Sequence, residues 1–117
     1  MEETLLQKVY GLYKVEPIKI PQEIPSTGEV IGYDEVFPEW NELKCYEVIK
    51  ALVDGDIRLV IDKDEDYSVL VQSEFFGFIF TETTKSLEEC ILVCLYNLYD
   101  KVSDVVIQSV REVLKKA

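Results

Sequence analysis

Three runs of β-branched and aromatic residues lie end to end between Ile57 and Thr83, and any fold for this chain has to pair them. They read Ile57-Arg-Leu-Val-Ile-Asp62, Tyr67-Ser-Val-Leu-Val-Gln72 and Phe76-Gly-Phe-Ile-Phe-Thr-Glu-Thr83, with short corners at 63–66 and 73–75. Such runs predict an antiparallel meander. Alternation puts Ile57, Leu59, Ile61, Tyr67, Val69, Val71, Phe76, Phe78 and Phe80 on one face. Val60, Leu70 and Ile79 fall on the other, so the sheet is expected to need cover on both faces. Keeping the apolar rows together sets Ile61 opposite Tyr67 through an odd-length turn centred on Asp64. The same logic sets Val71 opposite Phe76 across a four-residue corner, with Gly77 facing Leu70.

Helices are predicted on both sides of the meander. Glu2 to Leu12 carries acids in its first turn and a stripe of Leu5, Leu6, Val9 and Leu12. A second helix, from 39 or 41 to Val53, has Trp40, Leu43, Tyr46, Ile49, Leu52 and Val53 at helical spacing. Asn41 is its expected N-cap and Gly55 its left-handed stop. Ser86-Leu-Glu-Glu89 has the spacing of a capping box and opens a third helix with Leu87, Cys90, Ile91, Cys94, Leu95 and Leu98 inward. A last helix runs from Val102 or Ser103 to Lys116 on a stripe of Val102, Val105, Val106, Val110 and Val113. Ile107 and Leu114 fall off that stripe, which raises a homodimer contact through the C-terminal helix (102–117) as an expectation. From 13 to 38 four prolines, with Gly28 and Gly32, break any period, so this segment reads as irregular. Val15–Ile20 and Glu29–Tyr33 are its candidate edge strands. The expected fold is α+β: a single domain over 1–117, with an antiparallel meander of three to four strands sandwiched between helices (α/β/α) and an extra C-terminal helix.

Charge then narrows the function classes. Twenty-three acids against 12 bases give a net charge of −11, with no histidine. The imbalance is uneven: residues 1–100 hold 21 acids and 8 bases, and 101–117 hold 2 acids and 4 bases. Such a surface repels phosphate backbones and anionic bilayers, so direct nucleic-acid or membrane binding is not expected. It suits a basic protein partner. No run approaches the ~18 apolar residues of a membrane span, and Met-Glu-Glu-Thr lacks the order of a secretory leader. Cys45, Cys90 and Cys94 sit among apolar neighbours in predicted helices and are expected as buried thiols, in keeping with a cytoplasmic location.

The residue types suited to chemistry do not assemble a catalytic set. Asp62-Lys-Asp-Glu-Asp66 alternates acids as a calcium loop does, yet Tyr67 and Ser73 stand where such a loop needs glycine and glutamate. Cys90 and Cys94 lie one helical turn apart, but without histidine a zinc site lacks its usual donors. The same absence removes the customary base of a serine or cysteine triad. Gly28-Glu-Val-Ile-Gly32 has neither the spacing nor the lysine of a phosphate loop. The chain is therefore expected to be no enzyme and to need no cofactor or metal.

In the order of its elements the chain resembles the small phage proteins grouped as the phage ABA-sandwich domain. The likeness spans about residues 5–98. It is carried by Lys8-Val-Tyr-Gly-Leu-Tyr-Lys-Val-Glu16, Tyr46-Glu-Val-Ile-Lys-Ala-Leu52 and Ser86-Leu-Glu-Glu-Cys-Ile-Leu-Val-Cys-Leu95. That family's strands are rich in tryptophan, whereas this chain has only Trp40. The resemblance implies an α/β/α sandwich, a phage or prophage origin and the host cell cytoplasm. It assigns no catalytic or binding residues.

Together these readings lead to a non-enzymatic accessory protein that binds a host or phage protein with a basic surface, and to inhibition of a host defence system as its role. The candidate contact residues are Asp62, Asp64, Glu65 and Asp66 at the first corner, with the aromatics Tyr33 and Phe37. The alternative is a small-ligand, nucleotide-type binding or sequestering protein whose pocket uses Tyr13, Tyr33 and Phe37.

Overall fold

The computed structural model describes residues 4–116. In chain order the elements are α1 (Leu5–Leu12), β1 (Ile18–Glu23), β2 (Val30–Val36), α2 (Glu42–Asp54), β3 (Arg58–Lys63), β4 (Tyr67–Ser73), β5 (Gly77–Thr84), α3 (Leu87–Leu98) and α4 (Asp104–Leu114). The chain is α+β, with two separate antiparallel sheets ordered β1-β2 and β3-β4-β5. The expected acids of the first helical turn, Glu2 and Glu3, and the side chains of Phe80 and Glu82 lie outside the described residues.

Each helix starts on a side chain that occupies free backbone donors. Thr4 and Gln7 form a reciprocal capping box on α1. Asn41 accepts from Lys44 N–H on α2, Ser86 from Glu89 N–H on α3 and Ser103 from Val106 N–H on α4. The stop of α2 differs from expectation: Gly55 has φ −90°, and the left-handed residue is Asp56 at φ 63°. Gly55 is small for another reason. A Cβ there would come within 2.7 Å of Val106 Cγ2, so its missing side chain is what lets α4 close against the end of α2. Gly55→Ala is expected to cost about 1–3 kcal/mol in a denaturant titration. Much of that cost should disappear when Val106→Ala is added, because the two side chains compete for one space.

The meander is present, with corrected registers. The first hairpin pairs Lys63 with Tyr67, Ile61 with Val69 and Leu59 with Val71, so the turn is odd but centred on Glu65. The faces survive this two-residue shift. In the second hairpin the closing pair is Ser73 with Gly77, and Val71 lies opposite Ile79 rather than Phe76. Gly77 takes φ 80°, the left-handed conformation that ends a three-residue loop, so glycine serves the turn here instead of a packing gap over Leu70. This turns the alternation of β5 over. Ile79 and Thr81 share the face of Val69 and Val71, and Phe78 is exposed on the other side.

One face of this sheet carries the core. Val69, Val71 and Thr81 are fully buried there beneath α3 and its neighbour α2, with α1 packed on α3 and α4 on α2. On the opposite face Val60 and Phe78 are exposed, and among the described residues no helix covers them. The α layer is thus one-sided where cover on both faces was expected. On α2 the buried residues are Lys44, Cys45, Val48 and Leu52, while Leu43, Tyr46 and Val53 of the expected stripe are exposed. On α4 they are Val106, Val110 and Leu114, with Val105 exposed. Leu114 therefore belongs to the chain's own core and Ile107 packs against it, so the residues that prompted a dimer contact are already used.

Most polar groups buried with the core have a partner, the Tyr10 hydroxyl being the exception among the described residues. Tyr13 Oη donates to Leu95 O at 2.9 Å. Trp40 Nε1 donates to Glu88 O at 3.0 Å and so ties the start of α2 to the start of α3. Lys44 Nζ donates to Leu114 O, at the end of α4, at 3.2 Å and to Lys116 O just beyond it, which makes it a cap on the C-terminus of that helix.

Candidate interaction arm

The segment 13–38, expected to be irregular, instead forms a hairpin that stands away from the domain. Residues 24–29 turn it: Ile24 N–H donates to Glu29 O at 2.9 Å, and Gly28 N–H returns to Ile24 O at 2.7 Å. Ile18 pairs with Val36, Ile20 with Asp34 and Gln22 with Gly32, after which the register shifts and leaves Ile31 as an extra residue in β2. Both candidate strands are therefore real but displaced along the chain, and they pair with each other instead of extending the meander. Four prolines obscured this because strand preference is read from uninterrupted runs, whereas an edge strand tolerates proline.

Almost nothing covers this arm. Every residue of β1 is exposed, and every residue of β2 except the half-buried Gly32. The two strands pack extensively only on each other. Their projection accounts for the elongation of the molecule, 58 × 34 × 26 Å with a radius of gyration of 16.8 Å, against about 13 Å for a compact domain of this size. The arm is rooted firmly: Val15 and Pro38 at its two ends are buried, and Phe37 meets Tyr10 edge-on with ring centroids 5.5 Å apart. Beyond that root, Ile18, Ile20, Val30, Ile31, Tyr33 and Val36 are all between 44% and 66% exposed. A two-stranded hairpin is marginal in water by itself, and one that shows aliphatic side chains to solvent gains by being covered. Four acids (Glu23, Glu29, Asp34, Glu35) stand against one base (Lys19) over 18–36, so the arm is acidic as well as apolar.

The residues singled out from the sequence occupy separate places. Tyr33 is on the arm and open to solvent. Phe37 is half-buried at the root, spent on Tyr10. Asp62, Asp64, Glu65 and Asp66 line a shallow concavity of about 230 Å³ at the β3–β4 corner with Ser68 and Thr83. There Lys63 Nζ lies 5.0 Å from the centre of the Tyr67 ring. Tyr13, assigned to a ligand pocket with Tyr33 and Phe37, is fully buried on α3. Those three aromatics do not surround one space. The aliphatic side chains of the arm were missed; the signal was Ile18, Ile20, Ile31 and Val36 in a polar, proline-spaced context with no helical or core period to absorb them.

The thiols make no cation site among the described residues. Cys94 Sγ lies 2.9 Å from Thr81 Oγ1, and Cys90 Sγ donates to Tyr67 O at 3.2 Å. Burial pushes the Cys45 thiol up from 9.0 to about 12 and the Cys94 thiol up to about 11. Both should resist alkylation near neutral pH while the chain is folded and react promptly once it unfolds, as mass spectrometry after an iodoacetamide pulse would read. The sign for stability follows. Above pH 9 the unfolded chain gives up thiol protons that the native state retains, so stability falls as pH rises through that range. Tyr10, raised to about 12 by burial, and Tyr13, raised further, add to the fall above pH 10. Lys44, lowered by its own burial, opposes it.

No family model, curated protein or solved structure matches this chain. Among the described residues no helix is long and apolar enough to cross a membrane.

Proposed function

We propose that this chain is a non-enzymatic protein-binding factor whose contact element is the β1–β2 arm. One observation carries the reading: a firmly rooted hairpin projects six large apolar side chains into solvent while its own domain covers none of them. Its acid excess and the net charge of −11 favour a partner with a basic surface. The pattern likeness to the phage ABA-sandwich proteins extends the proposal to an accessory factor of phage or mobile-element origin, acting on a host or phage protein in the cytoplasm, with inhibition of a host defence system as its role. The acidic corner at Asp62–Asp66 serves in this reading as long-range steering.

The test is to replace 18–36 by a short Gly/Ser linker. Ile18 and Val36 are paired neighbours, so the ends are close enough to join. Tagged intact and arm-replaced chains are then compared for stoichiometric capture of a partner from bacterial lysate. Capture by the intact chain and loss by the replaced one is the expected result; equal capture by both overturns the reading.

A further inference from the structure

The two edges of the arm are not equivalent. Ile24 N–H points inward to Glu29 O, and strand alternation then turns the N–H positions of Lys19, Pro21 and Glu23 to the outer edge of β1. Proline has no N–H, so the middle donor of that edge is missing, and a lysine stands beside it. The same pairing directs Asp34 and Val36 inward and leaves the backbone groups of Tyr33 and Glu35 on the outer edge of β2. No proline interrupts β2, and its extra residue at Ile31 lies toward the tip. From Gly32 to Val36 this edge is regular and open.

We infer that the arm binds its partner by strand addition, accepting an extended basic segment along the outer edge of β2 through the backbone groups of Tyr33 and Glu35. This rests on the proposed protein-binding reading and specifies its mode. The side chains give the partner's chemistry. Tyr33-Asp-Glu-Val36 reads apolar, acidic, acidic, apolar, so acids and apolar groups alternate onto both faces. A strand reading apolar, basic, basic, apolar matches that pattern in either direction. Glu35 makes no ion pair among the described residues although Lys19 lies opposite, so its charge remains available. Addition of a third strand also relieves the weakness of a two-stranded sheet.

A second copy of the chain is the wrong occupant. Two-fold pairing of β2 with β2 would bring two sets of Asp34 and Glu35 close together, between molecules that each carry −11.

The experiment uses the whole ¹⁵N-labelled chain and a short synthetic peptide of repeated Val-Lys-Lys-Val. Two control peptides are Pro-Lys-Lys-Pro repeats, with the same charge but every second donor missing along either edge, and Val-Glu-Glu-Val repeats. The expected result is slowed exchange of the Tyr33 and Glu35 amides with the first peptide and with neither control. Glu35→Pro removes an outward N–H together with the charge, without touching the β1–β2 ladder, and should bind about tenfold or more weaker than Glu35→Gln, which removes the charge alone. Lys19→Pro, on the already interrupted edge, should not weaken binding. Absence of site-specific protection, protection along β3 or β5 instead, or equal binding by Glu35→Pro and Glu35→Gln overturns the inference. Protection of the same amides on concentrating the chain alone overturns it in favour of a second copy. The two levels separate cleanly: partner capture that survives Glu35→Pro but not arm replacement removes strand addition alone, whereas capture that survives arm replacement removes the arm.

Discussion

Tyr13→Ala should lower the folding free energy by about 3–5 kcal/mol, a large share of the roughly 5–15 kcal/mol that a domain of this kind possesses. The residue joins three helices. Its ring is fully buried and meets Tyr99 edge-on at 5.3 Å, its hydroxyl donates to Leu95 O in the last turn of α3, and its own carbonyl accepts from Arg111 Nε of α4 at 2.7 Å. The phenol thus ties the end of α1 to the last turn of α3. Tyr13→Phe keeps the ring and should cost only about 1–2 kcal/mol, the loss of one buried hydrogen bond. Urea titration of both variants separates packing from hydrogen bonding. Near-equal costs would mean that the hydroxyl, not the ring, holds α1 in place.

Replacement of the arm should have the opposite profile. It removes six exposed apolar side chains and no buried core residue, so the melting temperature should stay within a few degrees of the intact chain. Partner affinity should fall by about two orders of magnitude or more, since the element proposed to make the contact is gone. A melting temperature that drops sharply would mean that the arm serves the fold. Within the arm, Ile20→Ser and Ile31→Ser should leave stability almost unchanged for the same reason.

How much of this was legible in the residues depends on how locally each feature is encoded. The caps Asn41 and Ser86 were readable because capping is settled within three residues. The β3–β4 faces were readable because any odd-length turn keeps the two apolar rows together, whichever residue it centres on. The β5 register was not, because it turned on whether Gly77 served the corner or the strand, and the sequence Phe-Phe-Gly-Phe permits both. The inward faces of α2 and α4 were read only in part: Leu52, Val106 and Val110 are buried as expected, whereas Leu43, Tyr46, Val53 and Val105 face solvent. Apolar residues cover more than half of each helix surface, and the neighbour that selects a face is distant in the chain. Lys44 shows the same limit: a lysine on a helix reads as solvated until the carbonyls of Leu114 and Lys116 arrive beside it. Of the candidate site, Tyr33 was found as an exposed aromatic and the acidic corner as an exposed turn. The arm that gives Tyr33 its setting depends on two short strands pairing with each other, which no single run announces.

The most direct test of the arm as contact element is hydrogen–deuterium exchange of the free chain and of its captured complex, read peptide by peptide. The account predicts new protection over 18–36 on binding, strongest in β2, with the core helices unchanged. Protection confined to the Asp62–Asp66 corner or to the open face around Val60 and Phe78, with the arm exchanging as freely as before, would contradict it.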